Sequence, residues 1–126
     1  MKALFDTNIL IDYLNGVDAA TVEMDRYADG AISIVTWMEV MVGASDDTAA
    51  VTRSFLNSFA LIPLDDAIAE LAVALRKAHH MKLPDAIIWA SAKKEARLLV
   101  TRNTRDFPVD DPSIRDPYRL KGLGHR

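Results

Sequence analysis

The sequence predicts an α/β fold in which helices cover both faces of a parallel sheet of four or five short strands. Short apolar runs alternate along the chain with segments whose apolar residues recur at helical spacing, and this alternation favours parallel pairing. The chain has 126 residues, of which 50% are hydrophobic, so it can bury one core without disulfides or metals. It contains no repeat and no low-complexity segment, and we assign residues 1–126 to a single domain.

The first half of the chain is predicted to contain two strands, each followed by a helix. An apolar run over residues 2–5 predicts the first strand, and apolar residues at helical spacing over 8–14 predict the helix after it. A second helix is predicted over 19–28, and the β-branched run 31–35 predicts the second strand. A further helix is expected to begin near Thr36.

The second half is predicted to contain three longer helices and short strands between them. Pro63 marks the end of one strand or an edge, and Pro84 suits the first position of a helix. The prolines after Phe107 leave room only for a short edge strand. The predicted elements are a helix over 46–58, a strand over 60–64, helices over 65–80 and 84–97, a strand over 98–101 and an edge strand near 113–115.

Composition excludes several classes of function. The chain contains no cysteine, so disulfides, thiolate metal sites and thiol redox chemistry are excluded, and any metal must bind oxygen or imidazole. No segment approaches the roughly 18 apolar residues of a membrane-spanning helix, so no membrane is expected. The first strand begins almost at Met1 with no targeting segment before it, which predicts a cytoplasmic location.

Charge is distributed unevenly along the chain. The formal net charge is −3, but residues 1–92 contain six Lys and Arg against 13 Asp and Glu, whereas residues 93–126 contain nine against five. Such an asymmetry suits a site where carboxylates hold a cation and nearby bases receive a phosphate backbone. An excess of solvated arginine near the end of the chain explains the charge alone equally well.

Four acidic residues follow predicted strands or begin a predicted helix. Asp6 ends the first strand, Glu39 lies within one turn of the second, Asp106 follows the strand over 98–101, and Asp85 begins a helix. Ligands collect beyond the carboxyl ends of parallel strands, so we expect these side chains to meet at one edge of the sheet.

A hard cation would relieve the repulsion within such a cluster. Without one, at least one carboxylate would stay protonated. Mg²⁺, with Mn²⁺ as an alternative, binds few protein carboxylates, keeps several waters and accepts phosphate oxygens. The pattern therefore predicts phosphate ester cleavage, in which the metal polarises the phosphoryl group and activates a water while a neighbouring carboxylate accepts the proton.

Each acid also has a purely structural explanation. Asp6 is placed to cap a helix, and Glu39 stands three residues after Thr36, the spacing of a capping box. The helix dipole favours Asp85 in a first turn, and Asp106 could cap a turn. The metal site is therefore predicted from the four acids together.

Three further polar features accompany these acids. Thr7 and Asn8 directly follow Asp6. The Thr7 hydroxyl is predicted to contact the substrate or a metal-bound water, and Asn8 is predicted to orient the Asp6 carboxylate. Both are also ordinary residues at the start of a helix. His79 and His80 end a helix and lack the spacing of a zinc site, so they are expected at the surface.

Four motifs, taken in order, resemble the PIN-domain ribonucleases, and in particular the VapC toxins of bacterial type II toxin-antitoxin modules. The likeness covers at least residues 3–107. The motifs are Leu4-Phe5-Asp6-Thr7-Asn8, Glu39 after a strand, Leu83-Pro84-Asp85-Ala86-Ile87-Ile88 and Thr101-Arg102-Asn103-Thr104-Arg105-Asp106-Phe107.

This resemblance implies a PIN-like three-layer α/β/α sandwich and Mg²⁺- or Mn²⁺-dependent endonucleolytic cleavage of RNA. It also implies a homodimer that a cognate VapB-type antitoxin inhibits. By position, Asp6, Glu39 and Asp85 match the metal-binding acids of the family, and Thr7 and Asn8 match the usual companions of the first one.

The fourth acid differs among family members between the positions of Asn103 and Asp106. This chain has its carboxylate at Asp106, which we assign to the metal site with Asn103 as a polar neighbour. Substrate contacts are predicted for Asn103 and for four arginines near the site, whose charges could position a phosphate backbone. The arginines are Arg102, Arg105, Arg115 and Arg119.

Two other functions are compatible with parts of this pattern. An aspartyl phosphatase would also place an Asp after the first strand, but Asn8 occupies the site where many such enzymes have a second Asp. A non-catalytic module that binds RNA or a partner is the other alternative, and the presence of all four acids argues against it.

Overall fold

The computed structural model describes residues 1–120, which contain five strands and six helices. The strands are β1 (Lys2–Phe5), β2 (Asp29–Ser33), β3 (Ala60–Ile62), β4 (Leu98–Val100) and β5 (Ile114–Arg115). The helices are α1 (Thr7–Leu14), α2 (Asp18–Asp25), α3 (Ile34–Gly43), α4 (Ala49–Leu56), α5 (Asp66–His79) and α6 (Leu83–Lys94). All strands pair in parallel, in the order β3-β2-β1-β4-β5.

Helices cover both faces of the sheet because successive strand residues point to opposite sides. In β1, Leu4 packs into one buried cluster with residues of α5 and α6, including Trp89. Its neighbours Ala3 and Phe5 pack into a second cluster with residues of α1, α3 and α4, including Leu10. The predicted three-layer α/β/α sandwich with a short parallel sheet is confirmed.

The strand order places a crevice beside the carboxyl end of β1. The chain moves outward from β1 through β2 to β3, then returns to form β4 on the other side of β1. Ligands of open parallel sheets bind where the strand order reverses in this way. Asp6 directly follows β1 and Thr101 directly follows β4, so both lie at this reversal.

The boundary between the second strand and the next helix was predicted too late. Residues 31–35 were expected to form a strand, but β2 ends at Ser33 and α3 begins at Ile34. The Ser33 hydroxyl accepts a hydrogen bond from Val35 N at 3.1 Å and so caps α3. This cap outweighs the β preference of Ile34 and Val35, and Thr36 lies inside the helix.

Other predicted elements are present with shifted ends. The helices expected over 19–28 and 46–58 are shorter, at Asp18–Asp25 and Ala49–Leu56, and β3 ends at Ile62, directly before Pro63. Gly30 lies inside β2. A Cβ at this glycine would lie 2.8 Å from the Phe5 ring, so the close packing of β2 against β1 requires a residue without a side chain.

Residues 121–126, the end of the domain predicted over residues 1–126, lie outside the described residues. None of the helices within residues 1–120 combines the length and the hydropathy required to cross a bilayer.

Candidate active site

Asp6 is a buried carboxylate held only by neutral groups. It caps α1, because Oδ1 accepts a hydrogen bond from Thr7 N at 2.7 Å. Oδ2 accepts from Thr101 Oγ1 at 2.7 Å and from Asn8 Nδ2 at 3.2 Å. The residue is 4% exposed. Helix capping and a functional role are therefore compatible at this residue.

The surroundings of Asp6 oppose its ionisation. Burial raises the pKa of Asp6 to about 6, and the nearby Asp85 and Glu39 carboxylates add to this rise. The hydrogen bonds from Thr101 and Thr7 lower the pKa only in part. A cation at this position would favour the ionised form and offset the cost of burial.

Glu39 faces Asp6 across the start of α1 and does not form a capping box. Thr7 Oγ1 donates a hydrogen bond to Glu39 Oε1 at 2.6 Å and lies 3.0 Å from Thr36 Oγ1. Since Ser33 caps α3, the capping-box explanation of Glu39 and Thr36 is wrong. The Glu39 carboxylate is exposed, so it can reach a ligand from solvent.

Asp85 and Asp106 form the other side of the acidic cluster. Asp85 lies in the first turn of α6, where burial raises its pKa and the Asp106 and Glu39 carboxylates raise it further. Asp106 Oδ2 accepts from Asn103 Nδ2 at 3.0 Å, and Asp106 N donates to Asn103 Oδ1 at 3.1 Å. Asn103 and Asp106 are therefore bonded to each other beside Asp85.

An open pocket, called here the acidic pocket, brings together most of the predicted site residues. Asp106 and Arg105 are not among its lining residues. Within residues 1–120, no three Asp, Glu or His side chains converge as a ready-made set of metal ligands. The pocket is lined by Asp6, Thr7, Asn8, Ile11, Asp12, Glu39, Asp85, Arg102 and Asn103.

Three polar residues of the site were missed from the sequence. Thr101 donates to Asp6, and Thr36 contacts Thr7. Asp12 accepts a forked pair of hydrogen bonds from Arg102, with Nη2 at 2.9 Å, and another from Tyr118 Oη at 2.7 Å. Thr101 is the last residue of a predicted strand, and its place at the carboxyl end of that strand could have identified it.

The four predicted arginines occupy different environments. Arg102 is paired with the buried Asp12, and Arg115 in β5 is paired with the buried Glu23. Arg105 is exposed, and the Arg119 side chain, 75% exposed, lies 3.0 Å from Asp116. His79 and His80 are exposed at the end of α5, as predicted.

Solved structures resemble this chain over nearly its whole length. A chain of a toxin-antitoxin complex from Klebsiella pneumoniae is 46% identical, with a TM-score of 0.89 over 94% of this chain and 99% of that one. FitAcB from Neisseria gonorrhoeae is 24% identical, with a TM-score of 0.76 over 95% and 100% of the two chains. VapBC2 from Rickettsia felis, bound to a promoter DNA fragment, is 21% identical, with a TM-score of 0.76 over 90% and 96%.

A comparison with curated proteins gave no match. The PIN domain family matches residues 3–109, which include the whole acidic pocket and Asp106. The resemblance to PIN-domain proteins of the VapC type, predicted from four motifs, is thus confirmed by both the family match and the solved structures. The chain belongs to the PIN domain family.

Proposed function

We propose that this chain is a Mg²⁺-dependent endoribonuclease and the toxin of a type II toxin-antitoxin module. The observation that carries the proposal is Asp6, a buried carboxylate with a raised pKa that faces Glu39 and Asp85 and has no cationic partner within residues 1–120. Membership of the PIN domain family supports nuclease activity. The 46% identical chain from a toxin-antitoxin complex supports the biological role.

The residues of the acidic pocket fit Mg²⁺, with Mn²⁺ as an alternative. The proposed ligand atoms are all oxygens, and neighbouring carboxylates raise the pKa of Asp6 and of Asp85, an effect that a divalent cation would reverse. They do not form a complete set of ligands, but Mg²⁺ uses one or two carboxylates and keeps several waters. The proposed ligands are Asp6, Glu39, Asp85 and Asp106.

When bound, the metal would polarise the scissile phosphate and neutralise the charge that develops on it. The chain's own residues prepare the site around this charge. Thr101 and Asn8 hold Oδ2 of Asp6, and Thr7 orients Glu39. The half-buried Asp85 carboxylate lies beside Asp106 and Glu39 at the same site, and it would accept the proton of the attacking water.

An aspartyl phosphatase fits this site poorly. Its nucleophile would need an accessible carboxylate oxygen, whereas Asp6 is 4% exposed and both of its oxygens accept hydrogen bonds. A non-catalytic RNA- or partner-binding module remains the alternative that experiment must separate.

The test is cleavage of single-stranded RNA with and without Mg²⁺ by wild type and by Asp6→Asn and Asp85→Asn. We expect each substitution to lower kcat/KM by at least about 100-fold while circular dichroism shows an intact fold. Asp110→Asn, an exposed carboxylate outside the pocket, is the matched control and should retain activity. Equal cleavage by all four proteins would reject the nuclease and favour the non-catalytic module.

We extend the proposal to partners of the chain. A VapB-type antitoxin would bind the toxin and inhibit it, and the toxin would form a homodimer. Coexpression with the antitoxin should relieve growth arrest caused by the toxin, and light scattering of the purified toxin should give twice the mass of one chain. Growth arrest that every candidate antitoxin leaves unchanged would contradict the first expectation, and a monomeric mass the second.

A further inference from the structure

A second pocket, called here the basic pocket, adjoins the acidic pocket. The two pockets share Arg102 and Asn103 as lining residues. Three arginines line the basic pocket, and no Asp or Glu among the described residues lines it. Its lining residues are Arg102, Asn103, Thr104, Arg105, Tyr118, Arg119 and Leu120.

The wall between the two pockets is held in place by Asp12. This buried carboxylate binds two nitrogens of Arg102 and the hydroxyl of Tyr118, and the Arg102 guanidinium lies 6.0 Å from the centre of the Tyr118 ring. The forked contact fixes the plane of the guanidinium. Most of the charge of Arg102 is therefore balanced inside the protein.

The charge that the basic pocket offers to a ligand comes from Arg105 and Arg119. Within residues 1–120, no carboxylate forms an ion pair with Arg105. Among the described residues, Arg119 forms its ion pair with Asp116, and its side chain is 75% exposed. Surface pairs of this kind contribute little, so an incoming anion can replace the contact. Two exchangeable cations beside an acidic pocket match a ligand that carries successive negative charges.

We propose that the basic pocket binds backbone phosphates of the RNA strand next to the phosphate that is cleaved in the acidic pocket. This inference rests on the proposed nuclease function and assigns the substrate's path across the surface. Arg105 and Arg119 contact the phosphates, whereas Asp12 is a positioning residue that holds Arg102, which lines both pockets, and Tyr118, which lines the basic pocket. Contacts to the backbone position the strand without reading its sequence.

The test measures RNA binding separately from cleavage. A fluorescent single-stranded RNA oligonucleotide is titrated by anisotropy, in EDTA and at several salt concentrations, against Asp85→Asn protein with and without Arg105→Ala and Arg119→Ala. Each lost phosphate contact should reduce the slope of log K against log salt by about 0.7 and the affinity at 0.1 M salt by about fivefold. Both effects should add in the double variant.

Arg76→Ala, which removes an exposed charge from α5, is the matched control and should change neither quantity. If the double variant and this control have the same salt slope and the same RNA affinity, the proposal that the basic pocket binds RNA phosphates is wrong. If wild type nevertheless cleaves RNA, the nuclease function stands without it. Binding that depends on Arg105 and Arg119, without cleavage by wild type, would support the pocket and reject the nuclease.

Discussion

Two buried carboxylates, Asp6 and Glu23, have the same exposure and opposite environments. Each residue is 4% exposed, so each carboxylate loses nearly all of its contact with water. Glu23 in α2 is bound by Arg115 through Nε at 2.7 Å and Nη2 at 3.0 Å, and by Tyr27 Oη at 2.7 Å. Asp6 receives three hydrogen bonds as well, but none from a charged group.

The pKa of each carboxylate follows from its partners. Burial acts to raise the pKa of Glu23, but the hydrogen bonds and charge of Arg115, with the bond from Tyr27, hold it below its usual range. Burial raises the pKa of Asp6 to about 6, and the nearest charges are carboxylates that raise it further. Burial alone therefore does not identify a functional carboxylate. A buried carboxylate with no positively charged side chain beside it does.

This contrast also explains what each carboxylate does for the fold. Glu23 connects α2 to the edge strand β5 through Arg115, so its ion pair fastens the last strand to the sheet. Asp6 costs stability when it ionises and recovers that cost only when a cation binds. Glu23 therefore makes a structural contact, whereas Asp6 belongs to a site that folding alone leaves without a cation.

The largest effect on stability is expected when Arg115, the charged partner of Glu23, is replaced. Arg115→Ala leaves a buried carboxylate without its charged partner, and we expect a loss of about 3 kcal/mol in the free energy of unfolding, measured by urea denaturation. Arg26→Ala removes a more exposed arginine, 3.7 Å from the same carboxylate, and should cost less than about 0.5 kcal/mol. Equal losses in the two variants would contradict the structural role of the Arg115 pair.

The next effect is the stabilisation of the protein by a cation that binds at Asp6. Mg²⁺ should stabilise the wild-type protein by about 2.7 kcal/mol at a concentration about 100 times its Kd, and the thermal midpoint should rise accordingly. Asp6→Asn should abolish most of this rise, because the amide cannot neutralise the cation. Glu23→Gln should retain it. A rise that persists in Asp6→Asn would place the cation elsewhere.

The fold was largely predictable because it depends on patterns that are local in the chain. Alternation in β1 assigns Leu4 to one face and Phe5 to the other, and the spacing of apolar residues in α5 places Ile68 and Ala72 in the core. The β2 to α3 boundary was missed because one hydroxyl, that of Ser33, decides it. Residue propensities do not include a side-chain hydrogen bond of this kind.

The acidic pocket was predictable to the extent that its residues follow strands. Asp6 and Glu39 carry that signal, whereas Asp85 was recognised as the start of a helix, and all three lie together in the structure. Asp12 carries no such signal because it lies within α1, and its partners Arg102 and Tyr118 are about 90 and 106 positions away. Pairings across that distance depend on the tertiary fold, which one sequence does not specify.

The position of Asp106 shows the same limit. The sequence could not separate Asn103 from Asp106, and the structure bonds these two residues to each other while only Asn103 lines the acidic pocket. The side chain of Asp106 nevertheless lies near enough to Asp85 to raise its pKa. Its assignment as a metal ligand stays a prediction.

A smaller effect is expected from Asp6→Asn in EDTA, where the variant should be more stable than wild type at pH 7. The rise in pKa from 3.8 to about 6 means that ionisation costs the folded state about 3 kcal/mol. Loss of one hydrogen bond offsets about 1 kcal/mol, leaving a net gain of about 2 kcal/mol.

The stability difference between Asp6→Asn and wild type should depend on pH. The folded wild type binds its proton more tightly than the unfolded chain, so ionisation removes stability as pH rises from about 4 to about 6. The stability gained through Asp6→Asn should grow over this interval and stay level above it, and below about pH 4 it should become a loss of about 1 kcal/mol. A variant whose stability runs parallel to that of wild type from pH 4 to pH 7 would show that Asp6 titrates normally.

The smallest effect is expected from Thr101→Val, which removes one of the hydrogen bonds that favour ionised Asp6. The Thr101 hydroxyl is completely buried and donates to Asp6 Oδ2 at 2.7 Å. Without it, the pKa of Asp6 should rise further, because burial and the neighbouring carboxylates are then less opposed. Mg²⁺ binding should weaken by about 1 kcal/mol at pH 7, and the pH at which binding is lost should move upward.

Thr52→Val provides the matched control for this last change, since Thr52 is a buried threonine in α4, outside the acidic pocket. Both variants lose a hydroxyl, so both are expected to change thermal stability, and stability alone cannot distinguish them. Only Thr101→Val should shift the pH dependence of Mg²⁺ binding, measured by calorimetry. An identical pH dependence in both variants would mean that Thr101 supports the sheet edge without tuning the Asp6 carboxylate.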